Sequence, residues 1–337
     1  MRGVVMESAG DVRVEDVDSP RIERPTDAII KLTAACICGS DLWPYRGAQP
    51  VDHQSMGHEY VGVVSEVGAD VQSVKPGDFV VGSFCISDGT CEICKDGYPS
   101  RCVNGGFMSG AQAEYARVPL ADGTLVKTPG VPDDSLVPSL LAASDVLGTG
   151  WFGAVAAHAG PGKTVAVVGD GAVGLMAILA AKQLGASRII AMSRHASRQK
   201  LAREFGATDI VEERGDAGVQ AVKKLTDGYG AHSIVEAVGL QESMMQAIHS
   251  ARSGGYVGFV GVSHGVSIPG SDLFAKEVHL MGGPAPVRLF LPNLIRLIWE
   301  HKIDPGKVFD LTLPLDKAAE GYKAMDERKA IKVLLRP

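Results

Sequence analysis

No cysteine follows Cys102 in a chain of 337 residues; all six (Cys36, Cys38, Cys85, Cys91, Cys94 and Cys102) crowd into its first third. A disulfide framework normally serves a small secreted domain, which a chain of this length is not. Close spacing in a long globular chain favours metal ligands and a reducing compartment, with the cytoplasm as default. A long uninterrupted apolar run is also lacking. The N-terminal stretch MRGVVMESAGDVRVEDVD carries early acids and no apolar core of a secretory signal. The most apolar stretch, Thr164 to Leu184, is broken by Asp170, Lys182 and several glycines, so it reads as a buried strand and helix rather than a membrane span. There is no basic excess: 33 Lys and Arg against 39 Asp and Glu leave a net charge of −6, which argues against a nucleic-acid or anionic-membrane surface. No internal repeat or low-complexity tract is found. What remains is a globular composition, 45% hydrophobic and 21% charged, too long for one ordinary core. Two domains are the first expectation.

Residues 1–150 read as short β segments broken by turns, among them 27–32, 60–67 and 78–82. Lys75-Pro76-Gly77-Asp78 is a turn in which proline fixes φ and glycine permits a positive one. This region is expected to be all-β, in the manner of a small barrel. From Pro161 the pattern changes to strand–helix alternation. Strands are expected at 163–169, 188–192, 209–211, 233–238, 256–262 and 278–281, with helices near 172–184 and 196–205 ending at Gly185 and Gly206. Six strands with intervening helices fit a doubly wound parallel sheet, the Rossmann arrangement, over 151–289. The final segment ends in a β-like Ile331 to Leu335 and is expected to return to the first domain, so that 290–337 joins 1–150.

Gly169-Asp170-Gly171-Ala172-Val173-Gly174 lies between an expected strand and helix, the context a dinucleotide fingerprint requires. Its glycines permit a tight turn, close approach of a pyrophosphate and helix–strand packing. About 19 residues after Gly174 an acid would accept the ribose 2′-hydroxyl of NAD. The strand ends there in Ser193-Arg194-His195, with Arg198 one turn on, and no carboxylate is evident. Serine and arginine suit a 2′-phosphate, so the expectation is NADP. Thr149 is a further candidate for cofactor binding.

Three separated fragments carry metal-ligand chemistry: Cys38-Gly39-Ser40-Asp41, Gly57-His58-Glu59, and Asp145. A thiolate, an imidazole and a carboxylate leave the fourth position of a tetrahedral zinc open to a substrate oxygen. Together with the GDGAVG turn and Gly77-Asp78-Phe79-Val80-Val81-Gly82, these fragments make the chain resemble, over essentially its whole length, the zinc-containing medium-chain dehydrogenase/reductase family of the alcohol dehydrogenase type. The resemblance implies a GroES-like catalytic domain, a Rossmann domain and an active site in a cleft between them. It implies Cys38 and His58 as catalytic-zinc ligands. An aspartate third ligand, as at Asp145, is similar to a bacterial NADP-using branch. Ser40 matches the position from which family members pass the proton. Glu59 is a group that visits the metal or orients a ligand, and Asp41 is a candidate carboxylate behind His58. Many relatives have a histidine three residues after the serine; Trp43 stands there, and that relay is absent. Trp43, Tyr45 and Trp151 are candidates for the substrate pocket.

Cys91-x2-Cys94-x7-Cys102 matches three positions of the family's structural-zinc lobe, with Asp88 in place of the first cysteine. A carboxylate oxygen can ligate zinc beside three thiolates. Two alternatives stay open: Cys85 substitutes if the loop bends, or the thiols are free. The resemblance implies hydride transfer between NADP(H) and a small alcohol or carbonyl compound. Polyol, sugar and threonine dehydrogenases use the same parts, and a nucleotide-binding structural protein without turnover is the non-enzyme alternative. Family members are homodimers or homotetramers, and the apolar stretch from Val278 to Leu291 is a candidate contact.

Overall fold

In the computed structural model, which describes residues Met1–Pro337, the chain forms two compact units. The first comprises Met1–Asp145 with Pro286–Pro337, and the second Val146–Ala285. The crossings thus fall a few residues before the positions 150 and 290 expected from sequence.

The first unit is built on a seven-stranded sheet. Its order is Leu125–Lys127, Phe79–Gly82, Tyr60–Val67, Ala28–Cys36, Val333–Arg336 and Leu311–Pro314, with Tyr115–Val118 also pairing with Ala28–Cys36. All pairings are antiparallel except Leu311–Pro314 on Val333–Arg336. The C-terminal strand therefore does return, with Leu334 opposite Cys36. Alternating apolar residues on these strands bury Ile30, Leu32, Tyr60, Val64 and Val80 in one core. Gly82 is required there: a Cβ on it would lie 2.0 Å from the buried Tyr60 ring. A second core, around Met6, Ile37, Leu42, Tyr322 and Leu335, joins the N-terminal hairpin to the C-terminal helix Ala318–Asp326. The unit is not all-β as expected, since Val137–Ala143 forms a buried helix against the strands Ala28–Cys36, Tyr60–Val67 and Phe79–Gly82.

The second unit is a six-stranded, wholly parallel sheet in the order Asp209–Val211, Arg188–Met192, Thr164–Val168, Ala231–Glu236, Ala251–Phe259 and His279–Gly282. This is the doubly wound order, with the first strand central and the chain reversing direction beside it. The central strands Thr164–Val168 and Arg188–Met192 are apolar after their first residue because helices cover both faces. Two helices, Val146–Ala156 and Ala172–Gln183, pack closely at Gly150, where a Cβ would meet the Ala177 backbone nitrogen at 2.5 Å. No single helix is long and apolar enough to cross a membrane.

Candidate active site

The first cluster forms where the end of the strand Ala28–Cys36 runs into a short turn. Cys38 caps the 3-10 turn Gly39–Asp41, and Asp41 returns its carboxylate to the Cys38 backbone N–H at 3.0 Å. That reciprocal capping holds the thiol in place. His58 precedes the strand Tyr60–Val67, and Asp145 follows the buried helix Val137–Ala143. The ligand atoms of Cys38, His58, Glu59 and Asp145 all lie within 4.8 Å of one another. His58 Nε2 is 3.3 Å from Asp145 Oδ2, and Cys38 Sγ is 3.9 Å from the same oxygen. Metal bonds of about 2.0–2.3 Å in a tetrahedron give ligand–ligand edges of roughly 3.3–3.8 Å. The donor set therefore fits zinc in both chemistry and spacing.

The charge balance agrees. Burial pushes the Cys38 thiol up, with Glu59 adding to it and His58 opposing it. Burial disfavours the imidazolium of His58, yet Cys38, Asp145 and Asp41 outweigh it and hold that pKa well above the ordinary histidine value. Such a pocket favours a cation. The other imidazole nitrogen, Nδ1, faces Asp41 Oδ1 at 3.6 Å, which leaves Nε2 directed toward Asp145. Asp41 is anchored in turn: Gln112 Nε2 donates to its Oδ2 at 3.2 Å and to the Cys36 carbonyl at 3.1 Å, while the Tyr322 hydroxyl donates to Gln112 Oε1 at 3.0 Å.

Sequence reasoning missed Gln112, Tyr322 and Lys332. Lys332 Nζ meets Glu59 Oε1 at 2.7 Å with both side chains buried, and donates to the Ile37 carbonyl at 3.2 Å. The available signal was a lone lysine inside an apolar strand pattern, which reads by default as a solvent-facing position. Cys36 lies outside the ligand cluster. Ser40 is half-buried on the capped turn, and Trp43 is half-buried in the helical turn Leu42–Tyr45. The Tyr45 ring packs on Tyr322 at 5.6 Å, and Asp326 and Glu327 lie near its hydroxyl. An aromatic wall not foreseen from sequence stands beside His58. Phe84 approaches the imidazole at 6.1 Å edge-on, and Phe107 stacks on Phe84 at 6.2 Å.

A second donor group collects Asp88, Cys91, Cys94 and Cys102 within 4.8 Å, and Cys85 is not among them. Cys91 and Cys102 sulfurs are 3.9 Å apart, and backbone N–H groups of Cys94 and Asp88 point at Cys91 and Cys102 sulfur, respectively. Asp88 Oδ1 accepts from the Thr90 and Cys91 amides, and its Oδ2 accepts from Asn104. These bonds hold the Asp88 carboxyl well below the usual carboxylate range, against the opposing effect of burial. A carboxylate and three sulfurs at this spacing suit a structural zinc.

In the second unit the fingerprint forms the strand–turn–helix junction. Gly169 has φ +114°, and a Cβ on Gly174 would strike the Gly169 carbonyl at 2.0 Å. A Cβ on Gly171, by contrast, meets nothing within 4 Å, which leaves open space at the N-terminus of the helix Ala172–Gln183. Ala172 and Val173 open that helix half-exposed. This is a cradle a dinucleotide pyrophosphate fits. Thr149 and Trp151 are buried on the helix Val146–Ala156. One expectation is corrected here. A carboxylate does stand at the end of the strand Arg188–Met192: Asp170 reaches across, and Ser193 Oγ donates to its Oδ2 at 2.8 Å. Arg198 Nη1 lies 3.4 Å from Asp170 Oδ1, whereas Arg194 is exposed.

Comparison with known proteins gives the same picture. Residues 24–130 match the alcohol dehydrogenase GroES-like domain, and residues 172–299 match the zinc-binding dehydrogenase domain. The chain is 37% identical to zinc-type alcohol dehydrogenase B of Aspergillus flavus, over all of this chain and 81% of that one. It superposes on the alcohol dehydrogenase of Thermus sp. ATN1 with a TM-score of 0.91 at 35% identity, covering 100% and 99% of the two chains. A chain from Sinorhizobium meliloti, solved bound to NADP, superposes with a TM-score of 0.85 at 27% identity, covering 100% and 99%.

Proposed function

The chain belongs to the zinc-dependent medium-chain dehydrogenases of the alcohol dehydrogenase type, and from that premise we propose that it interconverts a small alcohol and its carbonyl compound through Cys38, His58 and Asp145 as catalytic-metal ligands. The observation that carries this reading is the convergence of His58 Nε2 and Cys38 Sγ on Asp145 Oδ2 at 3.3 and 3.9 Å. Cys38, His58 and Asp145 would hold a zinc ion, which would supply a Lewis acid for the substrate oxygen, and the Gly169–Gly174 turn would hold a dinucleotide, which would supply the hydride chemistry.

The chain's own side chains do the rest. Asp41 holds the His58 ring by its Nδ1 side, and Gln112 and Tyr322 fix Asp41. Lys332 holds Glu59 by its Oε1 and so fixes that carboxylate beside the metal ligands. Ser40 Oγ, on the turn that presents Cys38, passes the proton; Trp43 removes the histidine relay. Phe84 and Phe107 give the site an apolar wall, which fits a substrate carrying a hydrophobic substituent. NADP, the choice suggested by the sequence around Ser193, Arg194 and Arg198, and NAD use the same glycine cradle.

The test is metal content with nucleotide-dependent oxidation of an alcohol panel. Zinc-dependent turnover lost in Asp145→Asn and Cys38→Ser supports the assignment. Full turnover in either variant, or after complete chelation, refutes it.

A further inference from the structure

The strands Thr164–Val168 and Arg188–Met192 run parallel with Val168 opposite Met192. The residues that follow each strand, Gly169-Asp170 and Ser193-Arg194, therefore emerge side by side at the same end of the sheet. In a doubly wound fold this is where the adenine ribose of a dinucleotide lies, and the group at the end of the second strand reads its 2′ position. Asp170 occupies that place from the neighbouring turn. Its Oδ2 accepts from Ser193 Oγ at 2.8 Å. Its Oδ1 and carbonyl oxygen lie 3.4 and 3.2 Å from Arg198 Nη1. Ser193 is buried, and the Asp170 and Arg198 side chains are only 12% and 14% exposed.

We propose that Asp170 is the residue that selects the nucleotide, accepting the ribose 2′-hydroxyl and excluding a 2′-phosphate, so that the cofactor is NAD. The inference rests on the dehydrogenase reading of the Gly169–Gly174 turn. Two of the three groups that sequence assigned to a phosphate are already committed to an anion. The Ser193 hydroxyl proton is directed to Asp170 and is not free for a phosphate oxygen. The Arg198 charge is offset by the same carboxylate. A 2′-phosphate would have to break both contacts and then stand beside Asp170, a like-charge contact in a mostly enclosed position. A 2′-hydroxyl meets neither obstacle, because it can donate to the carboxylate as it stands. Arg194 alone is left exposed to attract a phosphate.

The experiment is calorimetric binding of NAD+ and NADP+ to the zinc-loaded full chain and to Asp170→Asn and Asp170→Ser, with a thermal midpoint for each variant. Wild type is expected to bind NAD+ about tenfold or more tighter than NADP+, and each folded variant to shift that ratio toward NADP+ by about tenfold or more. Tighter binding of NADP+ by wild type overturns the inference, as does a ratio left unchanged in the variants. If a variant does not fold, the wild-type ratio and the other variant decide. Failure of wild type to bind either nucleotide removes the dehydrogenase reading itself, an outcome distinct from an unchanged ratio.

Discussion

Replacing Lys332 with methionine should be among the most damaging single changes outside the ligands themselves. The lysine and Glu59 are 1% and 0% exposed and 2.7 Å apart. Glu59 Oε2 already has no partner. Burial disfavours the ammonium, but Cys36, Glu59 and Cys38 outweigh it and hold the Lys332 pKa well above the usual lysine value. Methionine keeps the volume and removes the charge, leaving the Glu59 carboxylate and the Ile37 carbonyl unsatisfied in a dry interior. Breaking a buried pair from one side costs about 3–5 kcal/mol, whereas replacing both partners with uncharged groups of similar size is close to neutral. In a unit of this size each kcal/mol corresponds to roughly 2–4 °C, so the variant should melt roughly 6–20 °C lower. The double variant Glu59→Gln with Lys332→Met should recover most of the loss. The assay is thermal unfolding followed by circular dichroism at constant zinc. A melting temperature within about 2 °C of the parent, or a double variant no better than the single, would refute the account of Lys332 as the counter-charge of Glu59.

Metal analysis should return two zinc ions per chain, with Asp145→Asn removing one and Cys94→Ser removing the other; loss of both in either variant would mean that the two donor groups are not independent. Gly150→Ala should destabilise the second unit by about 1–3 kcal/mol or more, since its Cβ would meet backbone rather than a side chain that can turn aside; urea unfolding measures this, and an unshifted midpoint would contradict the close helix contact. Asp122 accepts bonds from the Ser73 hydroxyl at 2.6 Å and from the Ser73 and Gln72 amides. Burial raises its pKa, but these donors outweigh burial and hold it below the ordinary aspartate value. Its stabilisation is therefore complete above the unfolded pKa of about 3.9 and is lost as pH falls through the lower folded value. Asp122→Asn should cost about 1 kcal/mol at neutral pH, given partial exposure, and progressively less as pH falls below about 3.9; a cost unchanged by acid would point to packing instead.

How much could be read in advance depended on the range of the interaction. Strand Arg188–Met192 and helix Ala196–Phe205 were bounded to the residue because Gly185, Ser193 and Gly206 punctuate them locally. The clustering of Cys38, His58 and Asp145 was legible because each has a distinctive neighbourhood in the chain. The contact of Asp170 with Ser193 was not, since it depends on which strand lies beside Thr164–Val168 and in what register. The packing of Tyr45 on Tyr322 was out of reach for the same reason, since it brings an early helical turn against the C-terminal helix. Lys332 and Tyr322 approach the site through the C-terminal return, and no local pattern marks a charged residue as buried before its partner is known.

That return also sets a timetable for synthesis. Glu59 and its counter-charge are 273 residues apart, and the Ile37 carbonyl waits 295 residues for the same lysine. At about 5–20 residues per second the ribosome would need roughly 15–55 s to span the first interval. Throughout it, the nascent strand Ala28–Cys36 would show an unpaired edge where Val333–Arg336 will later bond. The second unit, whose sheet draws on Val146–Ala285 alone, could meanwhile complete itself. The first unit is thus the late-maturing half, and the one for which a chaperone that shields strand edges would matter.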